Sequence, residues 1–142
     1  MSLLTIVPGT LDLEFYGGDD VRFVARFKRE VTPATDPVTY EYYMPSGTPK
    51  AMIRHEPNCE TGWDLVVTKD ETDPLDPFIT VEVPSEVSAA IVVDAPTVSQ
   101  YIKDVLITGP MFLGNWDLQF DNSGDIRTYM FGKATAIGEV TR

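Results

Sequence analysis

Apolar and polar residues alternate along much of the chain. Near the N-terminus, Leu11, Leu13 and Phe15 occupy every second position of one segment. After the glycines and aspartates of residues 17–20, a second segment repeats the pattern at Val21, Phe23, Ala25 and Phe27. A period of two is typical of a β-strand with one buried face. Because glycine pairs and aspartate favour tight turns, the sequence predicts two strands joined by a turn.

Prolines divide the next part of the chain into pieces too short for an ordinary helix. They are Pro33, Pro37, Pro45, Pro49 and Pro57. We therefore predict short strands at residues 38–44, 51–55 and 63–69. A further strand, Phe78–Val83, follows an acidic loop of sequence DETDPLDP. Its alternation turns the apolar residues toward the interior, namely Ile79, Val81 and Val83.

Helical patterns are confined to the middle of the sequence. In PSEVSAAI, Ser85 stands where an N-cap residue precedes one or two turns of helix. In TVSQYIKDVLI, Thr97 and Gln100 have the spacing of a capping box. A helix there would place on one face Val98, Tyr101, Ile102, Val105 and Leu106. β-Branched residues are frequent in this second segment, so a strand is the alternative prediction.

The clearest hairpin pattern runs from residue 114 to residue 133. A three-residue loop, 122–124, with Gly124 in the left-handed region would set its register. That register pairs Phe120 with Ile126, Leu118 with Thr128 and Trp116 with Met130. On the opposite face it pairs Gln119 with Arg127 and Asp117 with Tyr129. This polar set is a candidate contact face for another protein. Gly132 would bend the chain before a last strand, 133–137.

Together these patterns predict an all-β fold. We expect an antiparallel β-sandwich, immunoglobulin-like or similar, of about seven or eight short strands with one or two short helices. The chain has 142 residues and is 43% hydrophobic, which is enough for one core and predicts a single domain, residues 1–142. No disulfide is expected within the chain because Cys59 is its one cysteine.

The charge balance is strongly acidic. Asp and Glu number 22 against 11 Lys and Arg, so the net charge is −11. Such a surface repels phosphate backbones and anionic lipid headgroups, which argues against nucleic acid and membranes as partners. The first residues, MSLLTIVPG, lack the basic and long apolar regions of a secretory signal, so we expect synthesis in a cytoplasm.

Residues that carry enzymatic or metal chemistry are few. His55 and Cys59 stand four apart, but a structural zinc site needs four such ligands. The sequence DNSGD begins like a calcium loop and KDETDPLD clusters four acids, yet a hairpin turn and a solvated loop explain them more simply. No phosphate-binding or nucleophile motif occurs, and no carboxylate pair stands out among the 22 acids. We therefore expect no enzyme activity, cofactor or metal.

Aromatic residues give one candidate binding surface, made of Tyr40, Tyr42, Tyr43 and Trp63. Aromatic rings stack on sugars and contribute a large contact area to protein interfaces. Three interpretations stay open for this set: a carbohydrate platform, a patch for a protein partner, and ordinary packing in the core.

Three stretches share a pattern of strands and turns: LDLEFYGGDDVRF, FITVEVPSEVSAAI and NWDLQFDNSGDIRTYMFGKATAIGEVTR. The first contains Y-x-G-D between two strands, at Tyr16, Gly18 and Asp19. The last contains W-D-L-Q at 116–119, G-D-x-R-T at 124–128 and E-V-T-R at 139–142. This pattern resembles a family of small virion proteins of tailed bacteriophages, and it covers roughly half of the chain.

The resemblance implies a β-sandwich with a non-enzymatic structural role. The family occurs in tail-fibre, collar and minor tail proteins, particularly of phages that infect actinobacteria. Expected partners are therefore other virion proteins and copies of the chain itself, and the expected location is the virion. A capsid decoration protein is one alternative. A carbohydrate- or receptor-binding module that uses the aromatic set is another.

Overall fold

The computed structural model describes residues 9–31, 33, 35–56, 59, 61–93 and 95–138. These residues form twelve strands and one helix. The first six strands are β1 Gly9–Thr10, β2 Leu13–Tyr16, β3 Val21–Ala25, β4 Phe27–Glu30, β5 Tyr40–Tyr43 and β6 Thr48–Arg54. Then come β7 Trp63–Asp64, β8 Val66–Asp70, β9 Phe78–Val83, α1 Ser85–Val92, β10 Thr97–Ile102, β11 Val105–Asn122 and β12 Asp125–Ile137. The predicted all-β, sandwich-like fold is confirmed, with more strands than expected.

One large sheet dominates the structure. Its order is β1-β12-β11-β6-β7, with β2 also on β12 and β10 on β11. The pairing is antiparallel except that β1 and β2 run parallel to β12. Strands β11 and β12 form a long hairpin that supplies the centre of the sheet. This hairpin therefore positions most of the outer face of the large sheet.

Smaller sheets and the helix make the second layer. Strands β3, β9 and β8 form an antiparallel sheet, and β4 pairs with β5 in a two-stranded sheet. As predicted, Ile79, Val81 and Val83 of β9 are fully buried. They join one apolar cluster with residues of the large sheet, among them Ile53, Trp116, Leu118 and Phe120. The core therefore lies between this second layer and the large sheet.

A serine of the helix locks the first turn. Gly18 has a φ of 92°, and its N–H donates to the Ser88 hydroxyl over 2.8 Å. That hydroxyl donates in turn to the carbonyl of Asp19 over 2.7 Å. The N-cap is Pro84, with no side-chain capping bond, so the prediction that Ser85 caps the helix is wrong. Pro84 is extended, with a ψ of 151° and a φ of −60° that its ring fixes, and Ser85 is therefore already the first residue of the helix.

Replacing Ser88 by alanine is expected to lower the free energy of unfolding by about 1–3 kcal/mol, because two backbone groups of the turn lose their buried partner. Chemical denaturation measures the loss. Ser85→Ala is the matched control, since Ser85 is exposed and makes no capping bond. A loss in S85A equal to that in S88A would contradict this account.

The segment after the helix is a strand, so the helix predicted over residues 97–107 is wrong and the strand alternative is confirmed. Strand β10 pairs antiparallel with the first part of β11, from Thr97 opposite Pro110 to Ile102 opposite Val105. Lys103 and Asp104 form the two-residue turn, with φ values of 51° and 66°. Two successive positive φ values match the right-handed twist of a hairpin, and β-branched residues favour its strands.

The register of the hairpin formed by β11 and β12 differs from the prediction. The loop has two residues, Ser123 and Gly124, with φ values of 52° and 93°. Asn122 therefore pairs with Asp125, and Phe120 pairs with Arg127. A bulge between Leu118 and Gln119 then shifts the pairing again, so that Leu118 lies opposite Met130 and Trp116 opposite Gly132. β12 continues through Gly132, and the predicted bend before a separate last strand is wrong.

Candidate functional site

The outer face of the large sheet is formed by the β11 side chains that point away from the core. Trp116, Leu118 and Phe120 are buried inside, so Asp117 and Gln119 face outward. Across the sheet, Asp117 lies between Met52 of β6 and Phe131 of β12. This face carries one half of the predicted contact set.

The other half of that set lies on the opposite side of the hairpin, so the predicted four-residue face is wrong. Arg127 pairs with the core residue Phe120, and the Tyr129 ring packs on Phe120 with centroids 5.0 Å apart. Arg127 and Tyr129 both line a cleft of about 250 Å³ beside β5. The predicted register placed Arg127 opposite Gln119 and Tyr129 opposite Asp117. The two-residue loop and the bulge each shift this register, so that Gln119 lies opposite Thr128 and Asp117 opposite Phe131.

An ion pair occupies the middle of the outer face. Arg54 of β6 donates through Nη1 to Oδ2 of Asp117, and the two side chains are 13% and 17% exposed. Nη2 of Arg54 lies 3.2 Å from the Met52 sulfur, while its Nε is buried without a partner among the described residues. Burial raises the pKa of the Asp117 carboxyl, and the Arg54 charge opposes that shift. The pair borders a depression of about 330 Å³ that includes Gln119 and Thr128.

Asp117→Asn and Asp76→Asn are expected to change the pH dependence of stability in opposite directions. The native state of the wild type binds a proton at Asp117 more readily than the unfolded state does. Lowering the pH from the raised pKa toward the ordinary value of 3.8 therefore favours the native state. At Asp76, the hydrogen bond from Arg26 holds the pKa below 3.8, so acidification through that region removes stability.

The measurement is the free energy of unfolding of the wild type and both variants between about pH 7 and pH 3. The advantage of the wild type over D117N grows as the pH falls, and its advantage over D76N shrinks. Differences that change in the same direction for both variants would contradict the assigned environments.

The predicted aromatic set is divided among three places. Tyr40 and Tyr42 alternate with Glu41 on β5, are both exposed, and line a groove of about 400 Å³ with Pro74 and Leu75. The Lys28 ammonium lies 5.6 Å from the centre of the Tyr42 ring. Tyr40 and Tyr42 are therefore the two residues of the aromatic set that share one groove.

Tyr43 and Trp63 lie elsewhere. Tyr43 points to the other side of β5, where the Arg29 guanidinium is 4.7 Å from its ring centre. Trp63 belongs to the large sheet and packs edge-on against Phe112, with centroids 5.4 Å apart. The prediction of one patch is therefore wrong, because alternate residues of a strand face opposite sides and β5 and β7 belong to different sheets.

The candidate metal and thiol residues have local structural contacts. The His55 ring lies 4.9 Å from that of Phe112, and Cys59 is half-buried with a free thiol. Asp121 accepts the Gly124 N–H over 2.8 Å, so DNSGD forms the hairpin turn. The acidic loop contains Asp70, Glu71, Asp73 and Asp76. The carboxylates of Asp70 and Asp73 each accept a hydrogen bond from the backbone N–H of the residue two positions later. Among the residues described, no group of three His, Cys, Asp or Glu side chains is placed to hold a metal ion.

The sequence patterns did not predict one two-stranded ribbon, which we call the arm. It consists of β10 and the first part of β11, residues 105–110, which pair only with each other within the described ranges. On its outer side, Tyr101 is 71% exposed and its cross-strand partner Leu106 is 55% exposed. On its inner side, Ile102 and Ile107 line a cleft of about 270 Å³ against β2. The sequence feature that marks the arm is a long stretch with few charges, residues 95–116, in which Lys103 and Asp104 are the two charged side chains.

Comparisons with known proteins leave the family open. No protein-family model matches the sequence, and no curated protein matches it significantly. Across the part of the chain that the structure covers, no helix is long and apolar enough to span a bilayer.

Proposed function

We propose that the protein is a non-enzymatic structural module of a tailed-phage virion that acts through protein–protein contacts. Tail or collar location follows from the resemblance noted in the sequence, and a place on the capsid surface is the alternative. The partners would be other virion proteins and copies of the chain itself. An acidic surface suits such a role because it disfavours binding to nucleic acid.

The observation that carries this proposal is the role of the residues that make up the resemblance. Trp116 of the W-D-L-Q motif donates its indole N–H to the carbonyl of Leu11 over 2.6 Å. Gly18 of the Y-x-G-D motif is bonded to Ser88, and Gly124 forms the central hairpin turn. These motifs hold strands, turn and helix together. Because the residues that carry the resemblance have structural roles, they support a structural protein that acts through its surface.

Exposed apolar surface gives further support. Large apolar side chains that lie together at a protein surface commonly mark a contact with another macromolecule. On the outer side of the arm, the cross-strand partners Tyr101 and Leu106 are each more than half exposed. An arm that extends past the pairing of β11 with β12 and carries exposed apolar residues is a suitable element for contact between neighbouring subunits.

The test is mass spectrometry of purified particles of the phage that encodes this sequence, with heads and tails separated before digestion. We expect peptides of the protein in stoichiometric amounts in the tail fraction. Recovery in the head fraction would select the capsid alternative. Absence from both fractions would overturn the proposal.

A second candidate function is carbohydrate binding at the groove beside β5. It is favoured by two exposed tyrosines on one side of a strand, with Lys28 and Glu41 at the same groove. Such a groove offers both stacking and hydrogen bonding to a sugar. Calorimetric titration with cell-wall oligosaccharides of the host tests it, using Tyr42→Ala and, as control, Tyr101→Ala. Binding lost only in Y42A supports this function, and no heat up to about 10 mM ligand rejects it.

A further inference from the structure

We infer that the cleft of about 250 Å³ beside β5 binds a small ligand through a carboxylate group of that ligand. We call it the arginine cleft, because it is lined by Arg29 of the two-stranded sheet and Arg127 of the large sheet. The two side chains are 58% and 48% exposed, so a ligand can reach both from solvent. The inference goes beyond the proposed function, since it holds wherever the protein is located.

Each arginine is held by one carboxylate and keeps most of its donors. Nε of Arg29 donates to Glu41 over 2.9 Å, and Nε of Arg127 donates to Asp125 over 3.2 Å. The Arg29 guanidinium also lies 4.7 Å from the centre of the Tyr43 ring. Within the described part of the chain, the Nη groups of both arginines have no hydrogen-bond partner. The cleft therefore has two positioned guanidinium groups whose Nη ends are unused.

The charge of the lining selects an anion. The arginine cleft contains two cations and one acid, Asp125, so its formal charge is +1. Each of the other three cavities described above, beside the ion pair, beside Tyr40 and under the arm, combines one cation with one acid. The chain as a whole has a net charge of −11. A locally positive cleft on such a molecule concentrates anions where the average surface repels them.

The size of this charge favours a carboxylate over a phosphate group. A carboxylate carries one negative charge at neutral pH, whereas a phosphate monoester carries about −1.5 to −2. The additional charge of a phosphate would be repelled by Asp125 and Glu41, which are bonded to the two arginines. The planar Nη end of a guanidinium matches the two oxygens of a carboxylate. Ser46 and Asn122 add polar groups to the lining, and Met44 adds apolar surface for the rest of the ligand.

The test is titration of the wild type, Arg29→Gln and Arg127→Gln with sodium acetate at pH 7. Backbone amide NMR signals of the residues that line the cleft report binding, and sodium chloride keeps the ionic strength constant. We expect saturable shifts in the wild type, with half-saturation between about 1 and about 50 mM, the range for so small a ligand. Both variants should bind at least about fivefold more weakly, because each loses one bidentate donor.

Arg22→Gln is the matched control. Arg22 is 61% exposed and pairs with Glu82 over 3.1 Å, so it also is an arginine beside an acid, but it lines none of the four cavities. Its replacement changes the net charge by the same amount. We expect acetate binding in R22Q to change by less than about twofold, since an exposed charge outside the cleft is screened.

Asp125→Asn separates weakened binding from damage to the fold, because it should strengthen binding. The substitution raises the formal charge of the lining to +2 and removes the acid that holds Nε of Arg127. We expect acetate to bind at least about threefold more tightly to D125N than to the wild type. Circular dichroism checks that each variant is folded.

Methyl phosphate is the second probe, and we expect it to bind the wild type more weakly than acetate does. No saturation by acetate up to about 100 mM overturns the inference. Equal weakening in R22Q overturns it as well, and so does a D125N variant that binds no more tightly. Tighter binding of methyl phosphate than of acetate overturns the choice of carboxylate. None of these outcomes depends on whether particles contain the protein, so this inference and the proposed function can fail separately.

Discussion

Replacing Trp116 by alanine is expected to lower the free energy of unfolding by about 3–5 kcal/mol, the usual range for removing a large buried aromatic side chain. Trp116 is 1% exposed, and the Phe23 ring meets it edge-on with centroids 5.4 Å apart. Its indole N–H also donates to the Leu11 carbonyl. The variant loses this packing and a hydrogen bond to the segment between β1 and β2. Denaturant unfolding at constant pH measures the effect.

Trp116→Phe separates the two contributions. Phenylalanine keeps an aromatic ring in the core but cannot donate to Leu11, so we expect a smaller loss of about 1–3 kcal/mol. Trp63→Ala is a second comparison, since Trp63 is only partly buried and packs at the end of the sheet. A loss in W116A no larger than that in W63A would contradict the central position given to Trp116.

The strands that the sequence predicted best are those with a strict alternation and one buried face. β9 begins and ends as predicted, because its apolar residues, Ile79, Val81 and Val83, occupy every second position and all meet the core. Period-two alternation is a local signal that the final packing reinforces. The same agreement of local pattern and burial holds in β2, where Leu13 and Phe15 are buried.

Register and strand pairing were predicted less well, since they depend on the geometry of turns and bulges. Ser123 adopts a positive φ of 52°, which shortens the hairpin loop by one residue and shifts every later pair. A bulge at Leu118 and Gln119 shifts the pairs once more. In the arm, the positive φ values of Lys103 and Asp104 closed a hairpin where helical spacing was also present. Non-glycine residues rarely adopt such values, so the residue types alone gave little warning.

The surface sites were the least predictable part because their residues are distant in the chain. The ion pair of the outer face joins Arg54 and Asp117, which are 63 positions apart. The aromatic residues of 40–43 are close in sequence but alternate between two sides of β5. Residues that are adjacent in a strand therefore face opposite sides of the sheet. Which distant residues meet depends on the order of the strands in the sheet.

Gly132→Ala is expected to lower the free energy of unfolding by about 3 kcal/mol or more, at the upper end of the range for inserting a methyl group into a packed site. Gly132 lies opposite Trp116 in the sheet. The chain between β1 and β2 crosses over it: the Leu11 N–H donates to the Phe131 carbonyl over 3.0 Å, and the Lys133 N–H donates to the Asp12 carboxylate. A Cβ at Gly132 would overlap the carbonyl oxygen of Leu11, which is backbone and cannot rotate away.

The effect should extend to Trp116, because the Leu11 carbonyl that lies over Gly132 is the acceptor of the indole N–H. In G132A we therefore expect a shifted indole N–H resonance and faster amide exchange at Leu11 and Lys133. Gly9→Ala is the matched control in the same N-terminal segment, since among the described residues its Cβ would meet only the Tyr129 oxygen, at 3.9 Å. We expect no loss or a small gain from reduced freedom of the unfolded chain. Equal stability of G132A and G9A would mean that the crossing at Leu11 is not as close as described.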